Sequence, residues 1–360
     1  MSSSESPATK PSVLIIGATG YLGSSLATTF LRSSLVPNVY ALIRRPSQFN
    51  PLAAKEITPI LAPLSPLKPA LETILSHSKT WDIIVTATEP SRADTTHWED
   101  LISLLKSLSS HSISNGNIKP LILFSSGCKD YGSTLLHSHP SLQPHTEDSP
   151  IVLHPIIRGR TEAGLSVFND KDLDATVIRA TPIYGYSNSY YGPGFEYVSA
   201  FKASGQETLK FTHDKNTIIH GLHVDDCAEG YLALALAGLD DTKRKEVVGQ
   251  VFNISGEKYE TLEEIGHAFV REYGFEGGVT FSVGAEEIPE GANAQSVSLG
   301  FGWSQWVSSD KIRRVTGWKD RRGTFADGLR VYRMAYEASA ETGVEDVERV
   351  RMRMTGKWDE

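Results

Sequence analysis

The chain has 360 residues, of which 40% are hydrophobic and 22% charged, the composition of an ordinary soluble globular protein. A net charge of -8 lacks the basic excess typical of nucleic-acid-binding proteins, so we expect no nucleic-acid partner. Its two cysteines, Cys128 and Cys227, give no disulfide framework, and no apolar run reaches the roughly 20 residues that cross a bilayer. We therefore predict a cytoplasmic protein with no membrane partner.

Short apolar runs with strand character alternate with helical stretches through the first half of the chain, after a polar tail at residues 1–10 that we predict to be disordered. Such alternation is typical of a parallel sheet covered by helices on both faces, the doubly wound α/β class. The predicted strands are Val13–Ile16, Val39–Ile43, Ile83–Thr86, Leu121–Phe124 and Asp174–Arg179.

Other segments are less regular. Five prolines make Pro51–Pro69 irregular with at most one strand, and Ser133–Pro155 predicts a long loop. We predict a main α/β domain at residues 11–184 and a smaller lobe at 185–345 with segments returning to it, then a charged tail at 346–360. Helices are predicted at Gly20–Ser33, His154–Phe168, Asp225–Ala237, Thr261–Tyr273 and Phe325–Ser339.

A glycine-rich segment, Gly17-Ala-Thr-Gly20-Tyr-Leu-Gly23, follows the first predicted strand and opens the first helix. There the first glycine allows a tight turn, the second lets the backbone approach a pyrophosphate, and the third lets helix pack on strand. The helix N-terminus offers N–H groups and a favourable dipole to the anion. The segment predicts a Rossmann dinucleotide site, with a glycine-rich turn without ligand as the alternative. The residues assigned to the cofactor are Gly17, Thr19, Gly20, Tyr21, Leu22 and Gly23.

The residues after the second predicted strand indicate which of the two nicotinamide dinucleotides the protein binds. An NAD-binding fold carries an acidic residue there for the ribose hydroxyl, whereas this chain has Ile43-Arg44-Arg45-Pro46. Two guanidinium groups would hold a 2′-phosphate by charge-assisted hydrogen bonds. Arg44 and Arg45 therefore favour NADP(H) over NAD(H), unless they are merely solvated surface residues.

Motifs spread over almost the whole chain, from about Val13 to Tyr336, agree with that interpretation. Together they resemble the extended or atypical short-chain dehydrogenase/reductase superfamily, in its epimerase/dehydratase-like branch. The resemblance implies a nicotinamide cofactor, and we add Thr86, Thr181 and Ile183 to its predicted contacts. Besides the glycine segment, the motifs are Phe124-Ser-Ser126, Val177-Ile-Arg-Ala-Thr-Pro-Ile-Tyr-Gly185, His223-Val-Asp-Asp226, Phe252-Asn-Ile-Ser-Gly256 and Thr316-Gly-Trp-Lys319.

The catalytic pair of that superfamily, Tyr-x-x-x-Lys followed four residues later by an acidic residue, is missing. With Glu162 as the acid, Arg158 takes the lysine position and His154 the tyrosine position, and a helix would put all three on one face. We assign Arg158 to the cofactor ribose. His154 is a candidate general acid, because its charge changes near neutral pH, and a plain loop residue is the alternative.

A second stretch, Ser126-Gly-Cys-Lys129-Asp-Tyr131-Gly132, is similar to the Thr-Gly-x-Lys-His-Tyr-x-Gly signature of the progesterone 5-beta-reductase and iridoid synthase family. Those enzymes reduce activated C=C bonds with NADPH, and the resemblance implies Lys129 as the catalytic lysine. The family's tyrosine, in an Asn-Phe-Tyr-Tyr stretch, is replaced here by Ile156-Ile157-Arg158-Gly159.

Hydride transfer needs orientation and a group that stabilises negative charge on oxygen. The candidates at the end of the fourth predicted strand (Leu121–Phe124) are Ser125, Ser126, Lys129 and Tyr131. Tyr131 would deliver a proton if a cation lowered its pKa, and otherwise it is a wall residue. We read His220 and His223 as structural, because the acidic residues after them suit a helix cap, and we predict no metal site.

These features favour an NADP(H)-dependent oxidoreductase that reduces a carbonyl or enone of a small or mid-sized metabolite. A sugar-nucleotide epimerase or dehydratase with bound NAD is the first alternative. A non-catalytic NADP-sensing regulatory protein is the second, because the glycine segment indicates binding more directly than catalysis. The expected partner is a small-molecule substrate, and a homodimer is left open.

Overall fold

The computed structural model describes residues 11–36, 38–90, 96–187, 190–284, 288–289, 291–292, 294–341 and 347, without the side chains of 294–296. The predicted tail at residues 1–10 lies outside these ranges, and so does the predicted tail at 346–360 apart from Val347. Contacts divide the chain into two units. Unit 1 is built from Met1–Ser125, Gly159–Val177 and Tyr231–Val251, and unit 2 from Ser126–Arg158, Ile178–Gly230 and Phe252–Glu360. The sequence-based division at residue 184 stays a prediction.

Seven strands form the main sheet: β1 (Ser12–Ile16), β2 (Asn38–Ile43), β3 (Thr58–Leu61), β4 (Ile83–Thr86), β5 (Leu121–Gly127), β6 (Asp174–Ala180) and β11 (Val251–Ile254). Their order is β11-β6-β5-β4-β1-β2-β3. The pairs β1–β2, β2–β3, β1–β4 and β4–β5 are parallel. Parallel strands with both faces covered need apolar residues in succession, and every residue of β4 is buried. The predicted doubly wound Rossmann fold is confirmed.

Three short strand pairs lie in unit 2. They join β7 (Ile183–Tyr184) with β10 (Leu222–His223), β9 (Ile218–Ile219) with β12 (Glu260–Thr261), and β8 (Leu209–Phe211) with β13 (Val279–Phe281). The helices of the chain are α1 (Tyr21–Arg32), α2 (Phe49–Ala53), α3 (Leu67–His77), α4 (His97–Gly116), α5 (Arg158–Asn169), α6 (Gly192–Ala203), α7 (Val224–Leu239), α8 (Arg244–Val247), α9 (Leu262–Tyr273), α10 (Ala294–Phe301), α11 (Asp310–Thr316) and α12 (Leu329–Glu341).

Each unit has its own hydrophobic core. In unit 1, aliphatic side chains of the strands pack with the leucines of α4 and with Trp81 and Phe124. The core of unit 2 is aromatic, with Phe195, Phe269 and Phe325 among its buried rings. Within the described ranges, no helix combines the length and the apolar character needed to cross a membrane.

The structure agrees with the prediction for the proline-rich segment and corrects the predicted start of one helix. The proline-rich segment does contain one strand, β3, whose Pro59 is tolerated because β3 lies at the edge of the sheet. The predicted start of a helix at His154 is wrong, because α5 begins at Arg158. Pro155 has no N–H, and the N–H of Ile156 bonds to the His154 ring, so His154–Ile157 form a turn instead.

Candidate functional site

The glycine-rich segment makes a tight turn between β1 and α1 in unit 1. Gly17 has a positive φ of 91°, where only glycine is comfortable, and a Cβ there would overlap the carbonyl oxygen of Ala87. A Cβ on Gly23 would overlap the carbonyl oxygen of Gly17. Both glycines are therefore required by close backbone approach, as the motif predicts.

The start of α1 suits an anion. Gly20 occupies the cap position in an extended conformation, no side chain caps the helix, and its first turn contains no acidic residue. The N–H groups and the dipole at such an end attract negative charge. Tyr21, Leu22 and Gly23 form the first turn, so the predicted residues lie around this helix start, and their contact with a pyrophosphate stays a prediction.

Arg44 and Arg45 follow β2, the parallel neighbour of β1, and both are exposed. The side-chain oxygen of Gln48 accepts hydrogen bonds from the N–H groups of Arg44 and Arg45, both at 3.3 Å. The amide nitrogen of Gln48 donates to the Thr19 hydroxyl at 3.0 Å. Gln48, which the sequence analysis missed, thus joins the arginine segment to the glycine segment, and no acidic residue lies between Ile43 and Lys55.

The other predicted residues of unit 1 are engaged within the protein. The Thr86 side chain is buried, and its oxygen accepts the N–H of Ser125 at 3.2 Å. The Ser125 hydroxyl lies 2.7 Å from the hydroxyl of Tyr231, a buried residue of α7 that the sequence analysis missed. A contact of Thr86 with cofactor, or of Ser125 with substrate, stays a prediction.

In unit 2, a 3-10 turn (Cys128–Tyr131) follows β5. It contains two predicted catalytic side chains, Lys129 and Tyr131, and the hydrogen-bond partner of Ser126, Asp130. The Ser126 hydroxyl donates to the carboxylate of Asp130. Asp130 is 1% exposed, and the guanidinium of Arg179 pairs with it at 3.2 Å. Arg179 neutralises the Asp130 charge, so this network fixes the conformation of the turn.

The condition under which Tyr131 would deliver a proton, a pKa lowered by a cation, is not met. Burial raises the pKa of Tyr131 far above its usual value, and the nearby Arg179 charge offsets this only in part. The Tyr131 hydroxyl donates to Asn253 at 2.8 Å and accepts from Arg179 at 3.0 Å. With 2% of its surface exposed, Tyr131 is a core residue of unit 2 rather than a proton donor to substrate.

Lys129 and His154, by contrast, both contact the ring of Trp303. The Lys129 ammonium lies 4.2 Å from the centroid of the Trp303 ring, and it donates to the carbonyl of Leu299 at 3.3 Å. The centroid of the His154 ring lies 4.7 Å from that of Trp303. All three side chains are partly exposed. Nothing in the sequence points to Trp303, which lies far along the chain from both partners.

His154 does not share a helix face with Arg158 and Glu162, because α5 begins only at Arg158. The Nδ1 atom of His154 accepts the N–H of Ile156 at 3.3 Å, so the neutral ring carries its proton on Nε2. An imidazole in this tautomer can donate that proton to a substrate oxygen. Arg158, which is exposed, remains the predicted partner of the cofactor ribose.

Thr181 and Ile183, predicted near the nicotinamide, are both buried. The Thr181 N–H and hydroxyl both point to the carbonyl of Ile254, at 2.9 and 3.4 Å. These bonds attach the segment after β6 to β11. Cofactor contacts of Thr181 and Ile183 stay predictions.

His220 has the structural role expected of it. Its Nδ1 accepts the N–H of Val307 at 3.1 Å, and its Nε2 donates to the carbonyl of Gly256 at 2.9 Å. Burial lowers the pKa of His220 to about 4, so the ring stays neutral. Both ring nitrogens are used to hold backbone segments of unit 2 together.

Gln305, which lies close to Trp303 in sequence, supports the 3-10 turn. Its side-chain nitrogen donates to the carbonyls of Cys128 and Gly132, at 2.6 and 3.1 Å. This amide is almost completely buried. Side chains from the segment after α10 therefore contact the turn that carries Lys129, a long-range contact that motif spacing does not reveal.

Several proteins of solved structure share the fold of this chain. No protein-family model and no curated protein matches the sequence. A dTDP-glucose 4,6-dehydratase from Bacillus anthracis, solved in complex with NAD, has a TM-score of 0.65 and 16% identity, over 92% of this chain and 98% of that one. A UDP-glucuronic acid 4-epimerase from Bacillus cereus, also with NAD, has a TM-score of 0.62 and 15% identity, over 92% and 98%.

A UDP-glucose 4-epimerase from Thermotoga maritima, solved with UDP-glucose, has a TM-score of 0.63 and 14% identity, over 91% of this chain and 99% of that one. At such identities the likeness establishes the fold, which spans nearly the full length of each protein. The predicted resemblance to the epimerase/dehydratase-like branch is confirmed at the level of the fold. The resemblance to progesterone 5-beta-reductases stays a prediction.

Proposed function

We propose that the protein is an enzyme that binds a nicotinamide dinucleotide at the Gly17–Gly23 segment and uses it for hydride transfer. The observation that carries this proposal is the anion cradle, in which Gly17 and Gly23 leave no room for a Cβ and α1 has no side-chain cap. The dehydratase and the epimerase that were solved with NAD share the fold, which supports the same class of cofactor.

The first test replaces Gly17 by alanine. Because a Cβ at this position meets the Ala87 carbonyl, we expect Gly17→Ala to abolish dinucleotide binding, measured by titration with NADH and NADPH. Gly249→Ala is the matched control, because Gly249 also has a positive φ but open space around it. Equal binding by both variants would contradict the proposed cradle.

Within this function we propose a preference for NADP(H). Arg44 and Arg45 follow the second strand of the fold, and the segment carries no acidic residue that would repel a 2′-phosphate. Replacing both by alanine should weaken NADPH binding about tenfold or more, as loss of hydrogen bonds to a charged group does, and leave NADH binding unchanged. Lys55→Ala is the control. Tighter binding of NADH than of NADPH by the unaltered protein would exclude the preference.

For the substrate, we propose first a nucleotide sugar, acted on by epimerisation or dehydration. The compared epimerases and dehydratase, whose fold this chain shares over nearly its full length, support this choice. The second candidate is reduction of a carbonyl or enone with NADPH, which Arg44 and Arg45 support.

A substrate panel separates these candidates. Incubation with UDP- and dTDP-sugars, followed by nuclear magnetic resonance, detects epimerised or dehydrated products. Incubation with enones and ketones, followed through the absorbance of NADPH, detects reduction. Tight dinucleotide binding without turnover on either panel would favour a sensing protein over an enzyme.

A further inference from the structure

The ring of Trp303 connects two candidate catalytic side chains that are distant in sequence. It lies against the Lys129 ammonium and against the His154 ring, all within unit 2. We propose that Trp303 is a positioning residue that holds the Lys129 ammonium and the His154 imidazole for one substrate oxygen. This inference rests on the proposed hydride-transfer function.

The charge of Lys129 sits on a flexible four-carbon stem, and immobilising that stem costs rotamer entropy. Here the ammonium is restrained by the aromatic face at 4.2 Å and by the Leu299 carbonyl at 3.3 Å. A charge that is already in place stabilises negative charge on oxygen better than one that must reorganise during the reaction.

Among the described residues, the buried indole Nε1 atom of Trp303 has no hydrogen-bond partner. The indole N–H therefore contributes no bond, and what the ring provides is its aromatic face and its volume. Phenylalanine supplies such a face, whereas leucine supplies only apolar volume, so the two substitutions distinguish the roles.

Because His154 accepts the Ile156 N–H at Nδ1, the proton of its neutral ring lies on Nε2. A bound dinucleotide would supply the hydride to a carbonyl carbon, and the C=O electron pair would move to the oxygen. The Lys129 ammonium would stabilise the charge on that oxygen, and His154 Nε2 would give it a proton. The resulting imidazolate would take a proton from water and leave hydroxide in solution.

The experiment compares Trp303→Phe, Trp303→Leu and Trp306→Leu in the full-length protein. Trp306 is the matched control, because it lies in the same segment but packs against Tyr259. We expect kcat to fall about tenfold in Trp303→Leu and less than about threefold in Trp303→Phe, consistent with loss or retention of a cation–π contact. The loss in Trp303→Leu should largely vanish in a Lys129→Met background, because the cation–π contact between the two side chains is then already absent.

A second readout needs no turnover. Acetylation of Lys129 by an amine-reactive ester, followed by mass spectrometry of peptides, measures how freely the ammonium moves. Lys202, which packs on Phe275 and donates to Gly274, is the internal reference. Labelling of Lys129 should accelerate in Trp303→Leu and stay near the unaltered rate in Trp303→Phe.

Three outcomes would overturn the inference. The first is an equal loss of kcat in Trp303→Leu and Trp303→Phe, and the second is a loss of kcat in Trp303→Leu no greater than in Trp306→Leu. The third is an unchanged labelling rate of Lys129 in Trp303→Leu. Dinucleotide affinity is measured in parallel for every variant. If the unaltered protein binds no dinucleotide, the proposed function fails. If all variants bind it equally while Trp303→Leu behaves like its control, only the inference fails.

Discussion

At the scale of single residues, burial decides which candidate side chains can reach a substrate. Tyr131 has a cationic neighbour, as expected, yet its hydroxyl is buried and occupied by Asn253 and Arg179. Lys129 and His154 keep partly exposed side chains next to one aromatic ring. Lys129 and His154 therefore stay candidates for catalysis, whereas Tyr131 matches the alternative of a wall residue.

Glu260 is a buried acid that gives a pH-dependent prediction. Burial raises the pKa of Glu260 to about 7, although its carboxylate accepts the N–H groups of Ala326 and Phe325, at 2.7 and 3.0 Å. The folded protein thus binds this proton more tightly than the unfolded chain, whose value is near 4.5. The contribution to the free energy of unfolding is full below pH 4.5 and falls by roughly 3 kcal/mol as the pH rises to 7.

Glu260→Gln removes this titration while keeping the shape of the side chain. Denaturant unfolding at several pH values between 4.5 and 8 should show a flatter pH dependence in this variant than in the unaltered protein. Glu263→Gln, at a more exposed position, is the control. The same slope in Glu260→Gln and in the unaltered protein would contradict the role of Glu260.

At the scale of elements, helix ends carry the informative chemistry. The start of α1 has no side-chain cap and leaves its N–H groups for an anion, whereas α9 begins with a complete capping box. In that box the Thr261 hydroxyl accepts the Glu264 N–H, and the Glu264 carboxylate accepts the Thr261 N–H. The capping box marks the start of α9 as structural, whereas the role of the α1 start as an anion site stays a prediction.

Thr261→Ala should lower the free energy of unfolding by about 0.5–2 kcal/mol, because α9 loses the side-chain acceptor at its start. Thr261→Ser, which keeps the hydroxyl, should cost less. Dinucleotide binding should be the same in both variants. Denaturant unfolding provides the measurement, and an alanine variant as stable as the serine variant would refute the assignment.

At the scale of the whole molecule, ligand binding should appear as stability. A ligand that binds only the folded state adds free energy according to its concentration relative to Kd, about 2.7 kcal/mol at a hundredfold excess. Saturating NADPH should therefore raise Tm in the unaltered protein and in Gly249→Ala. Gly17→Ala should show no such rise, and a rise of equal size would place the dinucleotide elsewhere.

The main sheet could be predicted because its strands are short apolar runs, and Ile83–Thr86 matches β4 residue for residue. The glycine segment could be predicted because it directly follows a strand and opens a helix, and the structure shows close backbone approach at Gly17 and Gly23. The start of α5 was misplaced because Pro155 is compatible with a first helical turn. In the structure the N–H of Ile156 bonds to the His154 ring, and the helix begins only at Arg158.

By itself, the sequence determined the doubly wound fold, the glycine cradle and the basic residues after β2, because these depend on periodicity and on neighbours close in the chain. The tertiary structure decided which predicted catalytic groups remain accessible. It buried Tyr131 against Arg179 and Asn253, and it set Trp303 against Lys129 and His154. Burial and long-range contact depend on how distant segments pack, which no local pattern of residues encodes.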